Sequence, residues 1–166
     1  MKFNNPEEFF IKINQAYHLF LAGPLIFFVV LFFEKGDGDW KVRIDEQYLS
    51  VFSAITPAMG ILLVIYAIII TKKNNQNIDS SLKLKDKLIR FNTHFRTEQF
   101  LFFLSGTTSI AGLYFTGSTL CIMSYLAVLF IASIQRPSTD RLKKSLNLNK
   151  TQYDILRKKL AFEEEL

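Results

Sequence analysis

From Gln99 to Gln135 the chain runs for 37 residues without a charged side chain. At about 1.5 Å of rise per residue, one helix of that length would far exceed the roughly 30 Å hydrocarbon core of a bilayer. The tract therefore has to reverse, and Thr116-Gly117-Ser118 supplies the turn, because glycine accepts the backbone angles of a tight reversal. Two more uncharged tracts, Leu19 to Phe33 and Leu49 to Thr71, precede it. Of the 166 residues 49% are hydrophobic and 17 are Phe, a composition that suits lipid better than water. The expectation is an all-α membrane protein with four crossings, at about 16–33, 48–71, 97–115 and 118–135. Phe32-Phe33-Glu34-Lys35 follows the first tract where a secretory signal would carry small residues, so no cleavage is expected there.

The chain also repeats itself. Ala67 to Lys85 aligns without a gap on Ile131 to Asn149, and both copies close on one pattern, Ser81-Leu82-Lys83-Leu84 and Ser145-Leu146-Asn147-Leu148. A second match opens each half, Phe10-Ile11-Lys12-Ile13-Asn14 against Leu88-Ile89-Arg90-Phe91-Asn92. Residues 1–85 thus form one hairpin half, 86–149 a second, and 150–166 a C-terminal helix. Parallel duplicated halves of this kind are related by an axis along the membrane normal.

Charge sets the expected orientation. Of the 20 Lys and Arg, 17 lie in the N-terminal segment (two), the middle segment from Lys72 to Arg96 (seven) and the C-terminal tail (eight), while the first loop sets three against Glu34, Asp37, Asp39, Asp45 and Glu46. The positive-inside rule then puts both termini and the middle segment in the cytoplasm, in a bacterial inner membrane. Anionic headgroups account for the net charge of +5 without any nucleic acid.

Asn5-Pro6-Glu7-Glu8 reads as a helix start. Phe9, Phe10, Ile13 and Tyr17 share one face of that helix, which either lies in the inner headgroup layer or simply extends the first crossing. Ile78, Leu82, Leu88, Ile89 and Phe91, set among lysines, predict an amphipathic segment on the inner membrane surface. Thr151-x-x-Asp154 predicts a last short helix, with Glu163-Glu164-Glu165 fraying at its end. Pro24 and Pro57, the latter beside Thr56 and Gly60, predict kinks, since proline removes a backbone hydrogen bond. On crossing three, Glu98, Ser105, Ser109 and Gly112 share a face with Thr108 beside them. Small residues and hydroxyls at that spacing let helices pack closely in lipid.

Few residues carry chemistry. Glu98 is the acid to watch, because a carboxylate near a span needs a partner or water; His18 is expected at similar depth, and the two would form a proton-sensitive pair, or each would face headgroup water. His18, His94 and Glu98 match no metal signature. Asp37-Gly38-Asp39 with Asp45 and Glu46 departs from the calcium-loop pattern and reads instead as a turn, with Trp40 and Tyr48 anchoring the loop at the outer interface. Cys121 has no disulfide partner and reads as a small buried residue. No cofactor, metal or catalytic constellation is expected.

The paired hairpins and the stripe Ser105, Ser109, Gly112 resemble the architecture of the proteolipid c subunits of rotary ATPases, in their doubled four-helix form. That resemblance implies a carboxylate in the middle of a hairpin's second helix. Leu49 to Thr71 and Ser118 to Gln135 hold neither Asp nor Glu, so an ion-carrying rotor does not follow. Phe95-Arg96-Thr97-Glu98 entering a helix, with Arg136-Pro137-Ser138 leaving the next, is similar to small uncharacterised bacterial four-helix membrane proteins, a likeness that implies no activity. The role expected from this inventory is a non-catalytic accessory or assembly subunit that packs against a membrane partner or its own copies. A small transporter or channel lined by the Glu98 stripe is the alternative, and an inner-leaflet lipid-modifying enzyme the next.

Overall fold

The computed structural model describes residues 3–38 and 40–162. Asp39 of the first loop and Glu163-Glu164-Glu165 lie outside the described residues. Six helices, and no strand among the described residues, make up the chain: α1 (Pro6–Gly36), α2 (Glu46–Gln76), α3 (Leu84–Thr116), α4 (Thr119–Ile134), α5 (Thr139–Leu146) and α6 (Lys150–Lys158). The protein is all-helical. α1 and α2, 31 residues each, are long and apolar enough to cross a membrane, and α4 with α5, if taken as one broken span, would make a third. α3 is not among these candidates; Gln99, Ser105, Thr107, Thr108 and Ser109 dilute its apolar stretch.

Local sequence explains where the helices start and stop. The Asn5 side chain accepts the Glu8 N–H at 2.8 Å, and Glu8 in turn accepts the Asn4 N–H at 2.8 Å, a reciprocal cap that satisfies donors with no helical partner. α1 then continues unbroken through Pro24, and α2 through Pro57. The N-terminal segment is therefore one helix with the first apolar tract, not a separate surface helix. Between α3 and α4, Gly117 takes a φ of +64°, the reversal expected of Thr116-Gly117-Ser118. Ser138 caps α5 and Asn149 caps α6 through the Arg141 and Gln152 N–H groups. Asn149 thus starts the last helix two residues before the expected Thr151, Asn being at least as good a cap.

The described chain divides into two compact units that cut across the sequence halves: unit 1 comprises Met1–His18, Ile68–Glu98 and Arg136–Leu166, and unit 2 comprises Leu19–Ala67 and Gln99–Gln135. Unit 1 has a conventional apolar core of Phe9, Ile13, Leu84, Leu88, Phe91, Phe95, Leu142, Leu146, Ile155 and Leu156, all buried. Phe91 and Phe95, one turn apart, stack with ring centroids at 5.8 Å. The basic segment after Lys72 thus turns Ile78, Leu88 and Phe91 inward, while Ile89 stays 40% exposed. Its apolar face forms the first turns of α3 and closes a core, because α5 and α6 supply amphipathic faces to cover it.

Unit 2 has a narrower core: Phe28, Leu31, Ile110, Leu113, Cys121, Ile122 and Tyr125, with Trp40 and Leu129 packed on it. The Phe28 and Tyr125 rings lie 4.4 Å apart. Tyr125 finds room because Gly106 lies beneath it, where a Cβ would come within 3.2 Å of the ring. Trp40 covers Gly117, while Tyr48 is exposed.

Candidate functional site

The polar stripe of α3 belongs to unit 2, where it becomes a ladder of small residues. Ser105 Oγ donates to the Gly60 carbonyl at 2.7 Å, and Ser124 Oγ donates to the Pro57 carbonyl at 3.2 Å. Ser109 Oγ lies 3.1 Å from Ser124 Oγ and also donates to the Ser105 carbonyl at 3.2 Å. Gly60 and Gly112 make this closeness possible. A Cβ on Gly60 would sit 2.6 Å from Ser109 Oγ, and one on Gly112 would overlap Thr56 and lie 2.8 Å from Cys121 Sγ. Thr56 Oγ1 bonds the Phe52 carbonyl at 2.7 Å and lies 3.4 Å from the Cys121 thiol. Thr108 stands off this face, half-buried, and bonds back to the Leu104 carbonyl. Every hydroxyl of the ladder has a partner, so the arrangement holds helices together. Gln99 and Tyr125 are different: the Gln99 amide atoms and the Tyr125 hydroxyl are buried with no hydrogen-bond partner in the structure.

Glu98 belongs to unit 1 and is buried, with a side chain only 1% exposed. Its partner is Arg141 of α5, whose Nη2 lies 2.9 Å from one carboxylate oxygen and 2.6 Å from the other. The expected pair with His18 is not formed. His18 is exposed, its ring 5.1 Å from that of Tyr17. A buried carboxylate needs a full, permanent counter-charge, which guanidinium supplies at any physiological pH and imidazole does not. The same guanidinium lies over the faces of Phe95 and Phe91, at 5.5 and 6.0 Å, which adds cation–π attraction. Sequence gave no signal for Arg141, because 43 residues separate it from Glu98 and it reads as one cation among many in the tail.

Two further polar contacts tie unit 1 together. Lys87, 1% exposed, donates to Gln152 Oε1 at 2.9 Å, and the Gln152 amide donates to the Leu82 carbonyl at 3.1 Å. His94 Nδ1 lies 3.0 Å from Asn75 Oδ1. Partial burial, and secondarily the Arg90 charge, push the His94 pKa below its ordinary value. Among the described residues no group of three His, Cys, Asp or Glu side chains could hold a metal ion.

The class these features define is an all-helical protein with two helices apolar enough to span a membrane. Comparison with family models, curated proteins and solved structures finds no match to this chain.

Proposed function

We propose that the protein is a four-crossing membrane subunit whose work is packing and assembly, not catalysis. In this reading α1 to α4 cross the cytoplasmic membrane as two duplicated hairpins, and unit 1 with both termini faces the cytoplasm. The observation that carries the proposal is the chemistry of unit 2's interior. It holds seryl and threonyl hydroxyls bonded to carbonyls and to one another, while large apolar side chains such as Phe27, Leu62 and Phe130 point outward. The buried charged side chains among the described residues, Lys87 and Glu98, both belong to unit 1. A transport path needs a polar or ionisable lining. Unit 2 instead offers a groove of ≈ 590 Å³ with Gly23, Pro24 and Ala111 flanked by Phe27, Phe103 and Tyr114. Small residues between aromatic walls suit the close approach of another apolar helix.

Extraction in mild detergent followed by size and mass analysis tests this. The expected result is a complex with a partner of fixed stoichiometry or a homo-oligomer, and Ala111→Phe should weaken it. A monodisperse monomer that is unaffected by the substitution would overturn the subunit reading.

A further inference from the structure

Unit 1 contains a second feature that the packing role does not use. A cavity of ≈ 510 Å³ is lined by Phe10 and Asn14 of α1, by Arg136 and Ser138 of the segment between α4 and α5, and by Arg157 and Lys159 at the end of α6. Three cations thus meet in one concave site. Lys159 is paired with Glu7 at 2.8 Å, both side chains more than half exposed. Arg136 and Arg157 are exposed, and no carboxylate among the described residues pairs with either. Ser138 Oγ accepts the Arg141 N–H at 3.2 Å, which leaves its own proton free to donate. The lining therefore offers guanidinium forks and a hydroxyl, the donor set that suits phosphate.

Chain position identifies the source of the phosphate. Arg136 follows directly on the uncharged tract that ends at Gln135. Along the unbroken helix α1, Asn14 lies five residues before Leu19, where the first uncharged tract begins, or about 7 Å of helix axis. The headgroup layer on each side of a bilayer is roughly 5–8 Å thick. We infer that this cavity binds the phosphate of an anionic phospholipid from the leaflet facing unit 1, with Arg136 and Arg157 as its principal contacts. The inference rests on the membrane reading above but not on the subunit role. Phe10 gives the upper acyl carbons an apolar wall beside the cations, as basic headgroup pockets on cytoplasmic faces require.

The test uses the full chain purified in a neutral detergent, titrated separately with short-chain phosphatidylglycerol, short-chain phosphatidylcholine and inorganic phosphate. Lipid affinity is read from the rise in unfolding temperature with added ligand. Phosphatidylglycerol should stabilise the protein and phosphatidylcholine should not. Arg136→Gln with Arg157→Gln should weaken phosphatidylglycerol binding about 25-fold, at about fivefold per cation removed near a membrane surface. Lys72→Gln with Lys73→Gln, two exposed cations outside the cavity, removes the same charge and should leave affinity nearly unchanged. Equal response to both lipids, or an equal loss in the two double variants, would overturn the site. Saturation by inorganic phosphate at the concentrations effective for the lipid would replace a headgroup with a free anion and so overturn the assignment to lipid. Failure of the membrane reading would show separately, as a chain that stays in solution without detergent.

Discussion

Phe91 and Phe27 are the same residue on long helices of the same chain, yet Phe91 is 0% exposed in unit 1 while Phe27 is 69% exposed in unit 2. Serine shows the reverse. Ser105 and Ser109 are wholly buried in unit 2, whereas Ser80 and Ser81 of unit 1 are exposed. Unit 1 hides large apolar groups, as proteins in water do, and with them one lysine and one acid, Lys87 and Glu98. Unit 2 turns many large apolar side chains outward and sets small residues where its helices approach, beside a narrow apolar core, the pattern expected of helices in lipid. Under the membrane reading proposed above, the difference teaches that one chain can be sorted between two solvents by which side chains it hides, even where its long helices contribute residues to both units.

The comparison is broken most severely by attacking the buried charge that unit 1 tolerates. Arg141→Gln leaves Glu98 buried without a counter-charge and should cost about 3–5 kcal/mol, read from denaturant unfolding of unit 1. Adding Glu98→Gln removes the stranded charge and should restore part of that loss. A cost near that of an exposed pair, under about 1 kcal/mol, would mean that the pair is not buried as described.

A lysine placed on each unit's exposed surface sharpens the contrast in solvent. Leu62 of unit 2 is 63% exposed and Ile89 of unit 1 is 40% exposed. Leu62→Lys should cost roughly 2.5–3.5 kcal/mol of membrane insertion, whereas Ile89→Lys should stay within about 0.5 kcal/mol as a surface change in water. Equal, small effects on membrane integration would remove unit 2 from the lipid. Within unit 2, Gly112→Ala drives a methyl group into Thr56 and Cys121 and should cost about 1–3 kcal/mol. Gly36→Ala, with nothing within 4 Å of the added carbon, should be neutral or slightly stabilising.

How far the sequence could be read depended on whether a signal was local. The Asn5 cap, the Gly117 turn and the hydroxyl face of α3 were legible because each is set by a few consecutive residues or by one helical period. The repeat, read from sequence alone, does not extend to where the helices end. Aligned copies give α2 running on to Gln76 while α4 stops at Ile134, since Pro137 stands where the first copy has Lys73 and cannot continue a helix. The amphipathic stretch around Leu88 and Phe91 was read as lying on a membrane because its pattern is the same whether lipid or α5 and α6 cover it. Glu98's partner was invisible for a related reason: charge requires that a buried carboxylate be paired, but nothing in the spacing selects Arg141 over other basic residues.

The smallest expected effect concerns acid. His94, whose Nδ1 lies beside Asn75 Oδ1, is partly buried and near Arg90; burial first and the Arg90 charge second disfavour the imidazolium, so its pKa in the folded chain lies below the unfolded value. The unfolded chain then binds a proton at a higher pH than the folded chain, and stability is lost as pH falls from the unfolded pKa of about 6.5 toward the folded one. Lowering the pH from about 7.5 to about 5.5 should therefore reduce the unfolding temperature of unit 1, and His94→Gln should reduce the size of that drop. Unit 2, whose described residues include no histidine, has no imidazole to contribute to such a response. If the acid sensitivity of unit 1 is unchanged in His94→Gln, the imidazole is not held neutral by its surroundings, and the His94 contact with Asn75 forms equally well in either protonation state.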